Sequence, residues 1–171
     1  MTKAYLLGVI HDATERKYTY RLSQKNESFI KFIAGIIRKM GHNAWTYKEG
    51  KTRQVYVVEF AKSILRGIRI KNKRQKKDYI RGYFDAEGSV PKTSEAELYI
   101  YFAQKNISDL RQVQRYLESL DVKCGKIHNP SKRADPNYWR FFVSRRSHKD
   151  FATKVGSWHP EKGQVLQRKL N

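Results

Sequence analysis

The sequence is poor in cysteine and in acidic residues, and it has no long apolar run. Cys124 is the single cysteine among 171 residues, which excludes an intrachain disulfide and a cysteine zinc site and leaves an idle thiol as the expectation. No stretch approaches the ~20 apolar residues of a membrane span, and no signal-peptide cleavage site follows the N-terminus. We therefore expect a cytoplasmic protein without a membrane partner; these features do not distinguish an organellar from a prokaryotic host.

Basic residues outnumber acidic ones by 36 to 16, which gives the chain a net charge of +20. Such an excess repels itself in a folded chain, so it indicates a polyanionic partner. The basic residues are spread along the chain instead of lying on one amphipathic helix, which favours nucleic acid over a membrane surface. Because 39% of the residues are hydrophobic, the chain can also build a core.

The chain contains an internal repeat. The tripeptide QKN occurs at 24–26 and again at 104–106. Each copy follows an alternating, aromatic-rich run that predicts a strand, and each precedes a run with helical spacing. The predicted apolar face of the first helix comprises Phe29, Ile33, Ile36, Ile37 and Met40, and that of the second comprises Leu110, Val113, Leu117 and Leu120.

The repeat extends to the start of each half, LLGVIHDAT at 6–14 and IRGYFDAEG at 80–88. Both are apolar stretches with an internal glycine and an acid near the end. With the strand-like runs that follow each predicted helix, the pattern favours an α+β fold of two pseudo-symmetric αββαββα halves. We assign residues 1–65 and 78–171 to the halves and 66–77 to a charged linker that can continue into the next helix.

Gly8 and Gly82 occupy equivalent places in the two stretches. A glycine inside a helix costs roughly 1 kcal/mol of helix propensity, so it needs a packing reason. We predict that the two helices pack at these glycines, which brings their C-terminal acids together. Close carboxylates repel unless a divalent cation lies between them, and oxygen ligands suit Mg²⁺. The alternative is an ordinary pair of core helices with their acids on the surface.

The two stretches resemble the motif of the LAGLIDADG homing endonuclease family. The second is the closer match, with Gly82, Asp85, Ala86, Glu87 and Gly88 at the positions of the family's G-x-x-D-A-D-G ending. The resemblance covers nearly the whole chain and implies the monomeric form of the family with two motif copies. It also implies that the antiparallel sheets form a saddle for double-stranded DNA.

By this resemblance, the last acid of each motif binds the catalytic divalent metals. In the second copy that acid is Glu87, whereas the equivalent position of the first copy is Ala13 and Asp12 precedes it by one residue. Either the first helix ends one residue sooner, so that Asp12 still reaches the metal, or this half-site is impaired. Glu15 is the fallback ligand.

The resemblance implies further residues at the site. Gln24 and Gln104 match a polar position near the scissile phosphates that organises water. Lys62 and Arg145 each follow a late strand and would supply a cation that stabilises the transition state; alternatively, both lie on the surface. Asp85 matches a motif acid that does not bind metal, and we expect it to cap the helix end or pack there.

Residues 17–25 alternate in polarity. We expect Tyr18, Tyr20 and Leu22 to pack on the helices and the opposite face to offer donors and acceptors to phosphates and base edges. The second copy is less basic, so the two half-sites should differ in sequence. The predicted DNA contacts, including those from loops, are Lys17, Thr19, Arg21, Ser23, Lys25, Lys48, Lys51, Arg53, Tyr99, Tyr101, Lys105, Lys126, Lys132, Arg133 and Arg140.

The resulting hypothesis is a monomeric, site-specific DNA endonuclease, intron-encoded and dependent on Mg²⁺, for which Ca²⁺ or Mn²⁺ can substitute in the site. It would cut both strands of a long asymmetric duplex by phosphodiester hydrolysis. The competing hypothesis is an RNA-splicing maturase or a DNA-binding regulator on the same scaffold, without cleavage. The irregular first motif favours this second hypothesis.

Overall fold

Each half begins with a helix and then alternates between strands and helices. The computed structural model describes residues 2–93 and 95–170. Its helices are α1 (Lys3–Val9), α2 (Glu27–Lys39), α3 (Lys73–Glu87), α4 (Ile107–Glu118), α5 (His148–Lys154) and α6 (Pro160–Leu170), and its strands are β1 (Thr14–Glu15), β2 (Thr19–Gln24), β3 (Ala44–Lys48), β4 (Tyr56–Ala61), β5 (Gly88–Ser89), β6 (Tyr101–Gln104) and β7 (Trp139–Phe142). The α+β class is confirmed, and so is the order helix, strand, strand, helix at the start of each half.

Two antiparallel sheets carry the two halves. The first has the strand order β1-β2-β4-β3 and the second has the order β5-β6-β7. In the first sheet Leu22 lies opposite Val58, and in the second Phe102 lies opposite Phe141. All four side chains are fully buried, so these pairs mark the face of each sheet that packs on helices.

Each half has its own hydrophobic core. The first core is built on the apolar face of α2, where Phe29, Ile33, Ile36 and Ile37 are buried as predicted and Met40 is half-buried at the edge. The second core is built in the same way on α4, whose predicted apolar residues are all buried. The repeat in the sequence is therefore a repeat of core-forming units.

The end of each half departs from the predicted pattern. The first half closes with a 3₁₀ turn (Lys62–Leu65) in place of a helix, whereas the second adds both α5 and α6. The strand expected before β7 is reduced to the isolated pairs Cys124–Val143 and His128–Arg140. Two prolines lie in the loop at 129–138, and proline has no N–H to donate to a ladder.

The two motif helices α1 and α3 touch through their backbones. A Cβ atom placed on Gly8 would lie 2.1 Å from the carbonyl oxygen of Tyr79, and one placed on Gly82 would lie 2.0 Å from that of Tyr5. No side chain fits at either position. The predicted packing reason for the two glycines is therefore observed, and their helices end side by side.

Two smaller features complete the fold. The Cys124 thiol is half-buried, and burial raises its pKa to about 12, so it stays protonated and unreactive at neutral pH.

In the described part of the chain no helix combines the length and the apolar character needed to cross a bilayer.

Replacing either motif glycine by alanine should destabilise the fold strongly. We expect Gly82→Ala to lower the free energy of unfolding by about 3 kcal/mol or more, because the added methyl group displaces backbone. Gly35→Ala is the matched control, since a Cβ there would meet nothing within 4 Å. In the middle of α2 it should raise stability by about 0.5–1 kcal/mol. Urea denaturation measures both; equal effects would contradict the close approach.

Candidate active site

The two predicted acids lie at the adjoining ends of the motif helices. Glu87 is the last residue of α3, while Asp12 closes a 3₁₀ turn (Ile10–Asp12) that follows α1. Five α-helical steps from Gly82 to Glu87 advance about 7.5 Å, and one α-helical step plus three 3₁₀ steps from Gly8 to Asp12 advance about the same distance. The tighter turn compensates for the residue that the first motif lacks.

A glutamine at the end of a strand holds each acid. Gln24 ends β2 and its Nε2 donates to Asp12, and Gln104 ends β6 and its Nε2 donates to Oε1 of Glu87 at 3.1 Å. Each glutamine lies two residues after a buried strand residue. Because residues two apart in a strand share a face, the glutamine points to the helix side of its sheet. Sheet and helix thus supply one polar pair in each half.

Burial raises the pKa of both acids. The pKa of Asp12 rises to about 6, chiefly through desolvation. That of Glu87 rises to about 7, first through desolvation and then through the negative charge of Asp12. The two carboxyl groups therefore lie within electrostatic range of one another. Both also sit at helix C-termini, where the helix dipole disfavours an anion.

Lys162 brings a positive charge to this cluster. Its Nζ donates to the carbonyl oxygens of Phe84 at 2.9 Å and Asp85 at 2.7 Å in the last turn of α3. Burial lowers the pKa of Lys162 to about 8, against the opposing effect of the nearby carboxylates, and its charge lowers the pKa of both Asp12 and Glu87. Nothing in the sequence pattern points to Lys162, because α6 has no copy in the first half.

Crossed tyrosines join the ends of the motif helices. Tyr5 of α1 donates to Oδ2 of Asp85 on α3 at 2.6 Å, and the hydroxyl of Tyr79 on α3 lies 2.8 Å from Nε2 of His11. Each tyrosine lies three residues before its own glycine, and each partner lies three residues after the other glycine. Asp85 therefore packs near the helix end and takes no place beside the two acids. His11 is also held by Asp109, whose Oδ2 lies 3.3 Å from its Nδ1.

The segment 157–162, which we call the strap, crosses from the second half to the first. Ser157 and the backbone N–H of Trp158 donate to Asp85. The indole of Trp158 lies 4.8 Å from the ring of Tyr5, and Glu161 accepts a hydrogen bond from Asn26 at 2.8 Å. The strap thus closes the site from one side and fixes the start of α6.

The two predicted late-strand cations begin equivalent 3₁₀ turns, Lys62–Leu65 and Arg145–Ser147. Lys62 forms an ion pair with Glu15 directly after the first motif. Arg145 pairs with Glu97 at 3.1 Å, and its side chain is 82% exposed. The structure thus places Arg145 on the surface, which is the alternative that the sequence left open for it. Glu15, the fallback ligand, is engaged by Lys62.

The outer face of the first sheet carries a network of paired charges. Arg21 donates to Glu49 at 2.8 Å and to Ser23 at 2.7 Å. Thr19 donates to Glu59 at 2.5 Å, and Tyr47 also approaches Glu59 at 3.3 Å. The sequence did not predict Glu49 and Glu59 on this face. A carboxylate there suits the amino group of a nucleobase and does not suit a phosphate.

The outer face of the second sheet is aromatic. Tyr99 and Tyr101 stack with centroids 5.7 Å apart, and the guanidinium of Arg140 lies over Tyr101 at 5.7 Å and over Phe142 at 5.2 Å. A groove of ≈ 320 Å³ connects this face to the site and is lined in part by Glu87, Tyr101 and Lys105.

One inward prediction for the first strand is wrong. Tyr18 is 70% exposed, because it lies just before β2, which begins at Thr19. Leu22 is buried and Tyr20 is half-buried, as expected. The predicted DNA contacts in the loops and at the strand ends are all exposed: Lys17, Lys25, Lys48, Lys51, Arg53, Lys105, Lys126, Lys132 and Arg133.

The carboxylate pair fits a divalent cation that is completed by other oxygen atoms. Within residues 2–93 and 95–170, His, Cys, Asp and Glu side chains form no group of three or more that could hold a metal ion. Mg²⁺ prefers oxygen ligands and is held through one or two carboxylates together with water and substrate phosphates. Asp12 and Glu87, as half-buried carboxyls that repel one another, have that donor chemistry.

Two family models match the chain, one on each half. The WhiA LAGLIDADG-like domain matches residues 6–75, and a LAGLIDADG-like domain matches residues 74–156. Together with the paired glycine helices, these matches show that the chain belongs to the LAGLIDADG family and contains two copies of its motif. The sequence matches none of the curated proteins.

Solved structures share the fold over nearly the whole chain. A complex of I-DmoI with DNA and Ca is 23% identical, with a TM-score of 0.71, and the alignment covers 97% of this chain and 96% of that one. Variants of the homing endonuclease I-DmoI give 23% identity and a TM-score of 0.70 over the same shares. Full-length DUF199/WhiA from Thermatoga maritima is 13% identical, with a TM-score of 0.70, covering 98% of this chain and 60% of that one.

Removing the charge of Glu87 should stabilise the protein when metal and DNA are absent. The pKa of Glu87 is raised to about 7. The stability that Glu87 contributes is therefore fully present below its pKa in the unfolded chain, and it is lost as the pH rises through 7. At pH 8 in EDTA we expect Glu87→Gln to gain about 1 kcal/mol, allowing for solvent screening of a half-buried group. Urea unfolding at pH 8 and at pH 4.5 measures this gain, and Glu118→Gln at an exposed position is the control. We expect the gain only for Glu87→Gln and only at pH 8.

Proposed function

We propose that the chain is an intron-encoded homing endonuclease that cuts both strands of a long, asymmetric DNA site by divalent-metal-dependent hydrolysis. The observation that carries the proposal is the pairing of Asp12 with Glu87 at the ends of the motif helices, each held by a glutamine. A pair of half-buried acids that repel one another is unfavourable for stability alone. Such an arrangement supports a role with a cation and a phosphate.

Asp12 and Glu87 would hold the divalent cations, Mg²⁺ in the cell with Ca²⁺ or Mn²⁺ as substitutes, one acid for each strand. When bound, the cation supplies the Lewis acidity that activates a water and stabilises the leaving oxygen. Gln24 and Gln104 fix the orientation of the two carboxylates through their Nε2 donors. Structures of I-DmoI with DNA contain Mn or Ca, or were obtained with Mg present, which supports the metal assignment.

DNA would lie across the outer faces of the two sheets. The exposed lysines and arginines of the loops supply phosphate contacts that are independent of sequence. Thr19, Arg21 and Ser23 in the first half offer polar groups to base edges, and Tyr99 and Tyr101 in the second half offer aromatic surface. Because the two faces differ in chemistry, the proposed target is asymmetric.

Cleavage tests the proposal directly. Duplexes that bind are recovered from a randomised library and incubated with Mg²⁺. We expect the parent to cut both strands, and Glu87→Gln to bind equally well but to cut slower by roughly a hundredfold or more, because a metal ligand is lost. Glu118→Gln, at an exposed position of α4, is the matched control and should still cut. If the parent cuts no bound duplex, the endonuclease proposal fails.

Salt dependence tests the phosphate contacts. Each contact that is removed should reduce the slope of log K against log salt by about 0.9. We expect this reduction for Lys48→Gln and Arg53→Gln, which lie at the strand–loop edge of the first sheet. Lys39→Gln, at the end of α2 on the helix side, should leave the slope unchanged. Fluorescence anisotropy over a salt series measures all three; an equal slope for every variant contradicts the assigned face.

The second candidate is an RNA-splicing maturase or a DNA-binding regulator that does not cleave. The match of residues 6–75 to the WhiA LAGLIDADG-like domain favours it, as does Ala13 at the position equivalent to Glu87. Tight binding of intron RNA or duplex DNA that is unchanged by EDTA, without Mg²⁺-dependent cleavage, would support this candidate over the endonuclease.

A further inference from the structure

Among the described residues, Lys162 is a cation of the site that has no copy in the first half. It lies in the first turn of α6, whereas the first half ends at the turn Lys62–Leu65. Its ammonium group caps the carbonyl oxygens of Phe84 and Asp85, two residues before Glu87 completes α3. A single lysine therefore serves a site that has two acids.

The strap places this ammonium group against the end of α3. Trp158 is held between the ring of Tyr5, at 4.8 Å, and the guanidinium of Arg81, at 4.0 Å. His159 is buried with its ring 4.6 Å from that of Phe29. The strap is thus anchored to α1, α2 and α3 before the chain reaches Lys162, so the position of Nζ is set by packing on both halves.

Negative charge converges where Lys162 lies. The C-terminal carbonyls of α3 form the negative end of its dipole, and the carboxyl groups of Asp12 and Glu87 add further negative charge nearby when they are ionised. The ammonium of Lys162 is held against the last turn of α3 by the carbonyl oxygens of Phe84 and Asp85, so it offsets part of this charge. In keeping with that position, its charge lowers the pKa of both acids. For the same reason it repels any dication that approaches the pair.

We propose that Lys162 is an internal counter-ion that keeps the affinity of the site for divalent cations low until DNA binds. The inference rests on the proposed function, because DNA phosphates are the negative charges that would outweigh the ammonium group. Metal loading then depends on DNA, and by linkage metal also tightens DNA binding. Lys162 acts through its charge on the two acids, and it is not assigned a contact with substrate.

The sign of one measurement decides the inference. Mn²⁺ is titrated into DNA-free protein, and the free ion is read by electron paramagnetic resonance. We expect Lys162→Met to bind Mn²⁺ about fivefold to tenfold more tightly than the parent, because the repulsive charge is gone. A purely structural role predicts the opposite result, since loosening the end of α3 would misplace Glu87 and weaken binding.

Two further variants complete the design. Lys149→Met removes an equal charge from the exposed surface of α5 and should leave Mn²⁺ affinity unchanged. Lys162→Gln keeps an N–H donor for the carbonyl oxygens without the charge, and it replaces the methionine variant if that one does not fold. Unchanged or weaker Mn²⁺ binding in a folded Lys162 variant overturns the inference.

A second arm separates this inference from the proposed function. The parent is titrated with Mn²⁺ in complex with a duplex recovered by selection. If the complex binds no Mn²⁺, the endonuclease proposal fails. If the complex binds Mn²⁺ while Lys162→Met and the parent bind it equally without DNA, only the counter-ion role fails. The counter-ion role requires the affinity gained on DNA binding to be smaller in Lys162→Met than in the parent.

Discussion

The backbone contact between α1 and α3 determines where the other parts of the site lie. Gly8 and Gly82 leave room for one helix to approach carbonyl groups of the other, and no side chain fits there. Because the helices touch at this depth, their C-terminal ends adjoin and Asp12 comes within electrostatic range of Glu87. The crossed pairs Tyr5–Asp85 and Tyr79–His11 then hold both ends in register.

Bringing helix ends together concentrates negative charge, and the surrounding structure offsets that charge only in part. Burial leaves the carboxyls with raised pKa values of about 6 and 7, so near neutral pH Asp12 is mostly ionised and Glu87 is ionised only in part until a cation arrives. Lys162 supplies one positive charge from α6, and the strap holds it in place. The arrangement is costly for folding alone, and this cost is the physical basis for assigning it a function.

The two halves share a scaffold but differ at the surfaces that would meet DNA. In the first half, Arg21 is paired with Glu49 on a polar face; in the second, Arg140 lies over an aromatic face. The sites differ as well, since Asp12 follows a 3₁₀ turn and Glu87 ends a regular helix. Duplication thus accounts for the architecture, and the later divergence of side chains accounts for the asymmetry.

Local pattern in the sequence determined the helices, the sheets' buried faces, the duplicated halves and the roles suggested for Gly8, Gly82, Asp12 and Glu87. The helices, the buried faces, the halves and the glycine packing follow from periodicity and from spacing that the chain repeats, whereas the roles suggested for the two acids come from the resemblance to the LAGLIDADG motif. Tertiary structure alone decided which cation reaches the acids, because Lys162 lies far along the chain in an unrepeated segment and arrives only through packing of the strap. It also placed Arg145 at the surface and paired Arg21 with Glu49. Such long-range ion pairs have no sequence period, since they depend on how separate elements meet in space.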